Sequence, residues 1–106
     1  MVIAGGVNIA PAELEATLLT MPAVADCAVF GIPDAEFGEG LAAAIQLRDG
    51  QRTSADQVQA FLRERIANYK VPRVVTFHEE LPREESGKIF KRRLREPYWT
   101  GAGRRI

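Results

Sequence analysis

Apolar residues at helical spacing predict a first helix near the start of the chain. Leu14, Leu18 and Met21 recur three or four residues apart and would form one buried stripe. Pro11 stands where the first helical residue is expected, since its fixed φ and missing N–H are harmless there. Ala10 is a poor cap, so tertiary packing must hold the start of this helix, which Pro22 ends.

Two further helices are predicted in the second half of the chain. Ser54 and Gln57 match a capping box. The apolar residues that follow mark one helical face: Val58, Phe61, Leu62 and Ile66. Residues 69–72, Tyr-Lys-Val-Pro, break this second helix, and a short third helix is expected over residues 89–95.

The remaining apolar segments predict strands. Residues 24–32 are nearly all apolar, as in a strand covered on both faces, and residues 41–47 resume as its antiparallel partner. Val74 to Phe77 form a third strand, which follows a helix and therefore favours parallel pairing with the second. Residues 2–9 carry Gly-Gly between two β-branched stretches, which indicates a hairpin. The expected fold is α+β, a small mixed three-stranded sheet flanked by helices, with an N-terminal β-hairpin.

Size and composition narrow the function classes. With 106 residues and 46% hydrophobic residues, the chain is expected to form one domain, residues 1–106, with a single core. A single cysteine, Cys27, forbids an internal disulfide framework, and a lone histidine, His78, forbids a usual Cys/His zinc site, so no metal site is expected. No apolar run approaches the ~20 residues of a membrane span and no signal peptide is visible, so a cytoplasmic location is expected.

The formal net charge of +0 conceals an uneven distribution. Residues 1–82 carry six Lys/Arg and eleven Asp/Glu, a net of −5, whereas residues 83–106 carry eight and three, a net of +5. Such a split indicates either an interaction surface at the C-terminal end or a solvated terminal helix.

Candidate catalytic groups are scarce until the basic segment begins. His78 has no evident nucleophile beside it, and Cys27 lies in an apolar strand, where a buried and inert thiol is expected. Ser86 and Gly87 form a turn, and Lys88 stands where that turn meets the third helix. An ammonium on such a loop suits the negative charge that develops in phosphoryl or nucleotidyl transfer, although most lysines in basic tails are merely solvated.

The motif around Lys88 resembles the C-terminal signature of the adenylate-forming (AMP-binding) superfamily, which includes acyl-CoA synthetases, peptide-synthetase adenylation domains and luciferases. The run reads Leu-Pro-Arg-x-x-Ser-Gly-Lys-Ile-x-x-Arg-x-Leu-Arg over residues 81–95. Residues 3–15 resemble the segment that follows the interdomain hinge of that family, and residues 22–29, 31–34 and 69–72 are also similar to it. Residues 95–99 are similar to bacterial fatty-acid–CoA ligases.

The resemblance implies a reaction in two half-reactions, with ATP (Mg-dependent) and CoA as substrates of a full-length acid–thiol ligase. Lys88 matches the family lysine that contacts carboxylate and phosphate oxygens while the acyl-adenylate forms, with Ser86 and Gly87 as its supporting loop. The domain then rotates, and the segment Gly5, Gly6, Val7 and Asn8 lines the channel for CoA. Some relatives carry Arg near Asn8 to hold the CoA phosphates, a charge that Asn does not supply.

The resemblance also implies dependence on a partner domain. The sites for ATP and for the carboxylic acid, expected to be a fatty acid, belong to a large N-terminal domain that is absent from these residues, so the isolated domain is expected to be inactive. An alternative is a non-enzymatic module that binds nucleic acid through the basic C-terminal helix. Another is a partner-docking domain with an apolar patch near the N-terminal hairpin.

Overall fold

The computed structural model describes residues 2–4, 7–34, 38–67 and 70–103, and it describes the side chains of residues 10–33, 40–67 and 70–99. Within these residues the chain forms three helices and two sheets. In chain order the elements are β1 (Val2–Ala4), β2 (Val7–Ile9), α1 (Pro11–Leu18), β3 (Val24–Asp34), β4 (Gly38–Leu47), α2 (Ala55–Arg63), β5 (Val74–His78) and α3 (Lys91–Gly103). This architecture confirms the expected α+β class with its mixed three-stranded sheet.

The main sheet has the strand order β3-β4-β5. β3 and β4 are antiparallel, with Cys27 opposite Ile45 and Gly31 opposite Leu41, and β5 runs parallel to β4, with Val75 opposite Ala43. The crossover through α2 connects the parallel pair, as the strand–helix–strand order predicted. β1 and β2 form the expected separate antiparallel hairpin.

Apolar side chains cover both faces of the main sheet, which explains why β3 has no polar alternation. One cluster lies under α1 and α2 and consists of Leu14, Leu18, Val24, Cys27, Val29, Leu41, Ala43, Ile45, Val58 and Leu62. The other lies under α3 and consists of Phe30, Ile32, Ala42, Ala44 and Leu81, with Val74, Ile89, Leu94 and Tyr98 packed against it. The sheet is therefore the middle of three layers.

The helix starts follow local chemistry. α1 begins at Pro11 and Ala10 provides no side-chain cap, as expected. At α2 the Ser54 hydroxyl accepts a hydrogen bond from the Gln57 amide and the Gln57 side chain accepts one from the Ser54 amide, which confirms the capping box. Among the described helices, none is long and apolar enough to cross a membrane.

Several element boundaries differ from the sequence prediction. α1 ends at Leu18 and α2 at Arg63, earlier than the expected stops at Pro22 and at residues 69–72. β3 continues to Asp34 and β4 begins at Gly38, so the hairpin strands are longer than residues 24–32 and 41–47. Pro33 is tolerated because β3 is an outer strand and the missing N–H is not needed for pairing. Pro33 lies four residues after Val29, so its nitrogen faces the same side of the strand as the Val29 N–H, away from β4. α3 begins at Lys91 and passes through Pro97 to Gly103, whereas residues 89–95 were expected.

Candidate functional site

Lys88 follows a three-residue hairpin loop. The Gly87 amide donates to the Glu84 carbonyl at 2.9 Å, and the Glu84 amide donates to the Lys88 carbonyl at 2.8 Å. Gly87 has a φ of +91°, the left-handed conformation that such a loop needs at its third position and that glycine adopts without cost. Ser86 and Gly87 thus form the loop that the sequence indicated, with a defined shape.

The position of Lys88 differs slightly from the expected junction with a helix. Ile89 pairs with Arg83 in an antiparallel bridge, and the Phe90 amide donates to the Pro82 carbonyl at 2.8 Å. These contacts keep residues 89 and 90 outside the helix, so α3 begins only three residues after Lys88. We call residues 82–90 the lysine hairpin.

The Lys88 side chain is exposed at the end of this hairpin. Within the part of the chain that the structure describes, no side chain forms an ion pair or hydrogen bond with its ammonium group. Ser86 is exposed beside it. A positively charged group with three free donors can therefore reach a negatively charged substrate without first breaking an internal contact.

Two residues that the sequence reasoning did not single out attach the lysine hairpin to the sheet. The Arg83 guanidinium pairs with the Asp26 carboxylate of β3 and also donates from Nη1 to the Gly87 carbonyl at 2.9 Å. Arg83 lies inside the recognised motif, but its partner is 57 residues away in the sequence. No local pattern could have identified that pairing.

α3 is attached to α1 and β3 by contacts of its own side chains. Lys91 Nζ lies 2.8 Å from Glu15 Oε2, which also accepts a hydrogen bond from the Val29 amide at 2.8 Å. Farther along the helix, the Trp99 indole N–H donates to the Gly31 carbonyl at 2.9 Å. Arg83 and Lys91 of the basic segment thus form ion pairs with Asp26 and Glu15 of the acidic residues 1–82. Part of the opposite charge of the two segments is therefore neutralised by contacts within the fold.

The packing of the basic segment bears on the nucleic-acid alternative. Ile89 and Leu94 are packed against the core under α3, and Arg92 pairs with Glu96 at 3.7 Å on the same helix. Since Lys91 is also paired, the segment does not present an uninterrupted row of free cations. This arrangement disfavours a phosphate-binding helix.

The other candidate residues have structural partners. Cys27 is buried, and its Sγ lies 3.6 Å from the Glu15 carbonyl oxygen. Burial, reinforced by the Glu15 and Asp26 carboxylates, raises the pKa of the Cys27 thiol to about 12, so this thiol is inert near neutral pH. His78 Nε2 lies 2.9 Å from the Thr76 hydroxyl. Among the described residues, no group of three His, Cys, Asp or Glu side chains could hold a metal ion.

The proposed CoA segment is described only in part. Val7 and Asn8 belong to β2, where their backbones pair with Ala4 and Ile3. Gly5 and Gly6 lie outside the described residues, as do the side chains of Val7 and Asn8. β1 packs against β4 and β3, so the N-terminal hairpin and the lysine hairpin are supported by the same sheet.

Comparison with known proteins gives one consistent family. The family model described as "AMP-binding enzyme C-terminal domain" matches residues 13–88. The long-chain-fatty-acid–CoA ligase FadD13 of Mycobacterium tuberculosis is 44% identical over 98 residues, which are 92% of this chain and 19% of that protein. A feruloyl-CoA synthase of Amycolatopsis sp is 46% identical over 98 residues, which are 92% of this chain and 20% of that protein.

Solved structures agree with these sequence matches. ATP-bound MatB from Rhodopseudomonas palustris superposes with a TM-score of 0.88 and 40% identity, covering 92% of this chain and 20% of that one. The Mycobacterium tuberculosis fatty acyl CoA synthetase gives a TM-score of 0.85 and 40% identity, covering 95% and 20%. The chain therefore spans about a fifth of the length of the proteins it matches.

Proposed function

Because the chain belongs to the family of AMP-binding enzyme C-terminal domains, we propose that it is the mobile C-terminal domain of an ATP-dependent acyl-CoA synthetase of the fatty-acid–CoA ligase type. The observation that carries the proposal is the exposed Lys88 ammonium at the end of a hydrogen-bonded hairpin. A large N-terminal domain would supply the sites for ATP and the carboxylic acid. The relatives whose names include CoA ligase or CoA synthase are about five times longer than this chain, which agrees with that division.

In the first half-reaction, a carboxylate oxygen attacks the α-phosphorus of ATP. The new bond gives an acyl-adenylate, and the bond to the β-phosphate oxygen breaks to release pyrophosphate. Lys88 would contact the carboxylate and the α-phosphate oxygens, so that it orients the nucleophile and stabilises the transferring group. Mg²⁺ is expected to accompany ATP, but the described residues offer no group of ligands for it and we assign none to this domain.

In the second half-reaction, the domain would rotate and withdraw Lys88. The segment Gly5, Gly6, Val7 and Asn8 would then line the channel through which the thiol of CoA reaches the acyl carbon and displaces AMP. Glycine suits this place because backbone without Cβ leaves room for the narrow pantetheine arm. Asn8 adds no charge, so it would make at most a neutral hydrogen bond to CoA.

The test is a chimera in which residues 1–106 replace the matching segment of FadD13 from Mycobacterium tuberculosis. Adenylation is followed by pyrophosphate release, and thioester formation is started from preformed acyl-adenylate. Lys88→Ala is expected to slow adenylation by ~10²–10³-fold, the usual effect of removing one donor at a developing anion, while thioester formation changes little.

Arg92→Gln is the matched control, because Arg92 is an exposed cation of the same basic segment whose described partner is Glu96 on its own helix. It should leave both half-reactions unchanged. A folded but inactive unmodified chimera would contradict the proposed function. Equal loss of both half-reactions in Lys88→Ala would contradict the assignment of Lys88 to adenylation alone. Gly6→Leu tests the channel, and is expected to raise KM for CoA without slowing adenylation.

A further inference from the structure

The geometry points to Arg83 as a positioning residue for Lys88, an inference that rests on the proposed function. By bridging Asp26 and the Gly87 carbonyl, the Arg83 guanidinium fixes the orientation of the lysine hairpin relative to the main sheet. The place at which the Lys88 ammonium meets its substrate is then set by β3, not by the loop. Arg83 and Asp26 would govern the rate of adenylation without touching the reacting atoms.

The bridge uses two different nitrogen atoms of one planar group. Nη1 donates to the Gly87 carbonyl at 2.9 Å, and Nη2 pairs with Asp26 Oδ2. The other carboxylate oxygen of Asp26 accepts from the Cys27 amide at 2.9 Å, which fixes the carboxylate against the strand. A continuous chain of contacts thus leads from the β3 backbone through Asp26 and Arg83 to the residue before Lys88.

The internal hydrogen bonds of the lysine hairpin do not perform this task. The bonds between Glu84 and Gly87 and between Glu84 and Lys88 define the shape of the loop, and Leu81 and Ile89 attach its base to the core under α3. Residues 83–88 are nevertheless exposed, so nothing apolar holds the end of the hairpin. The Arg83–Asp26 ion pair supplies a contact to the sheet beyond that base.

The chemistry of the bridge favours arginine. The guanidinium donates from two separate nitrogen atoms to Asp26 and to the Gly87 carbonyl in a fixed planar geometry, whereas a lysine would present one nitrogen at the end of a flexible stem. Displacement of a catalytic group by about 1 Å can cost ~10²-fold in rate. A variant that loosens the bridge should therefore act mainly on the turnover rate of adenylation.

The experiment uses the same chimera with Arg83→Gln, Arg83→Lys and Asp26→Asn, and Arg92→Gln as the control outside the bridge. Arg83→Gln is expected to lower kcat of adenylation by ~10–100-fold, with KM for ATP changed less than about twofold and thioester formation unchanged. Arg83→Lys should retain part of the rate. In a Lys88→Ala background, Arg83→Gln should add less than about twofold, because Arg83 acts through Lys88.

The outcomes separate the two proposals. Equal loss of both half-reactions, or a full additional loss in the Lys88→Ala background, would show that Arg83 only stabilises the domain and would overturn the inference. If Lys88→Ala slows adenylation but Arg83→Gln does not, only the inference fails. If Lys88→Ala has no effect on adenylation, both the proposed function of Lys88 and the inference about Arg83 fail. A double-mutant cycle tests the bridge itself: because Arg83 and Asp26 act through one contact, Arg83→Gln combined with Asp26→Asn should lose little more than either single variant, and additive losses would overturn the bridge.

Discussion

Replacement of Glu15 should destabilise this domain far more than a partly exposed carboxylate usually would. Its Oε2 accepts the hydrogen bond of the Val29 amide and pairs with Lys91, so one carboxylate joins α1, β3 and α3. Val29 is fully buried on the outer edge of β3, where no neighbouring strand in the described sheet can bond to its N–H. Glu15→Ala leaves that amide without its acceptor.

The magnitude follows from the two contacts that are lost. A buried donor left without a partner costs about 1–3 kcal/mol. The ion pair adds only about 0.2–1 kcal/mol, since the Lys91 and Glu15 side chains remain 39% and 19% exposed. The free energy of unfolding should fall by roughly 2–3 kcal/mol, or on the order of 10–20 °C in Tm for a domain of this size. Glu15→Gln keeps an oxygen acceptor for Val29, so about 1 kcal/mol or less should be lost.

Urea unfolding of the chain, followed by far-UV circular dichroism and by fluorescence of the single tryptophan, Trp99, measures these differences. Glu13→Ala is the matched control, because Glu13 lies on the same helix and pairs with Lys70 at 3.0 Å but accepts no described bond from the sheet backbone. It should cost about 1 kcal/mol or less. If Glu15→Ala and Glu13→Ala destabilise the chain equally, the Val29 amide does not depend on Glu15 and the reasoning is refuted.

Three further predictions concern backbone, cap and thiol. Gly87→Ala and Gly50→Ala should each lower the free energy of unfolding by about 1–2 kcal/mol in chemical denaturation. The cost comes from the positive φ angles of +91° and +76°, since an added Cβ would meet no neighbouring atom at either position. In the chimera only Gly87→Ala should slow adenylation. Ser54→Ala should cost about 1 kcal/mol in thermal unfolding, through loss of the capping box. Burial is the main cause that raises the pKa of the Cys27 thiol from 9.0 to about 12, so thiolate absorbance of the folded chain should appear only near pH 12. The free energy of unfolding should fall as pH rises from about 9 to 12, because over this range the unfolded chain releases the thiol proton and the folded chain retains it.

Each of these expectations has a result that contradicts it. Equal slowing of adenylation by the two glycine variants would remove the special role of the hairpin at Gly87. If Ser54→Ala has the same Tm as the parent chain, the capping box does not stabilise the start of α2. Rapid reaction of Cys27 with a thiol reagent in the folded chain near neutral pH would contradict its burial and its raised pKa.

The sequence predicted those features that depend on neighbouring residues. The Ser54–Gln57 capping box, Pro11 at the start of α1 and the apolar β3 segment are local, and all three are found as expected. The prediction that Lys88 follows a Ser-Gly turn is likewise local, since the loop requires the positive φ of Gly87. Its catalytic role remains a prediction from the family resemblance.

Features that depend on contacts between distant residues could not be predicted from the sequence. The start of α3 was placed two residues too early, because the bridge between Arg83 and Ile89 competes with the helix for residues 89 and 90. The end of α3 was also placed too early: the helix passes through Pro97 to Gly103, and Tyr98 packs on Phe30 of β3. The Arg83–Asp26 pair could not be predicted, since nothing in either segment specifies the other.

The outer edge of β3 is completed by side chains that are synthesised late. Asp26 and Gly31 precede their partners Arg83 and Trp99 by 57 and 68 residues. At ribosomal speeds of about 5–20 residues per second, those partners are made roughly 3–14 seconds later. During that interval the Gly31 carbonyl lacks the indole donor that it has in the folded domain, so this edge of β3 offers a backbone acceptor to other chains. The C-terminal segment that carries Lys88 is thus also the part that covers the outer edge of β3 against pairing with other chains.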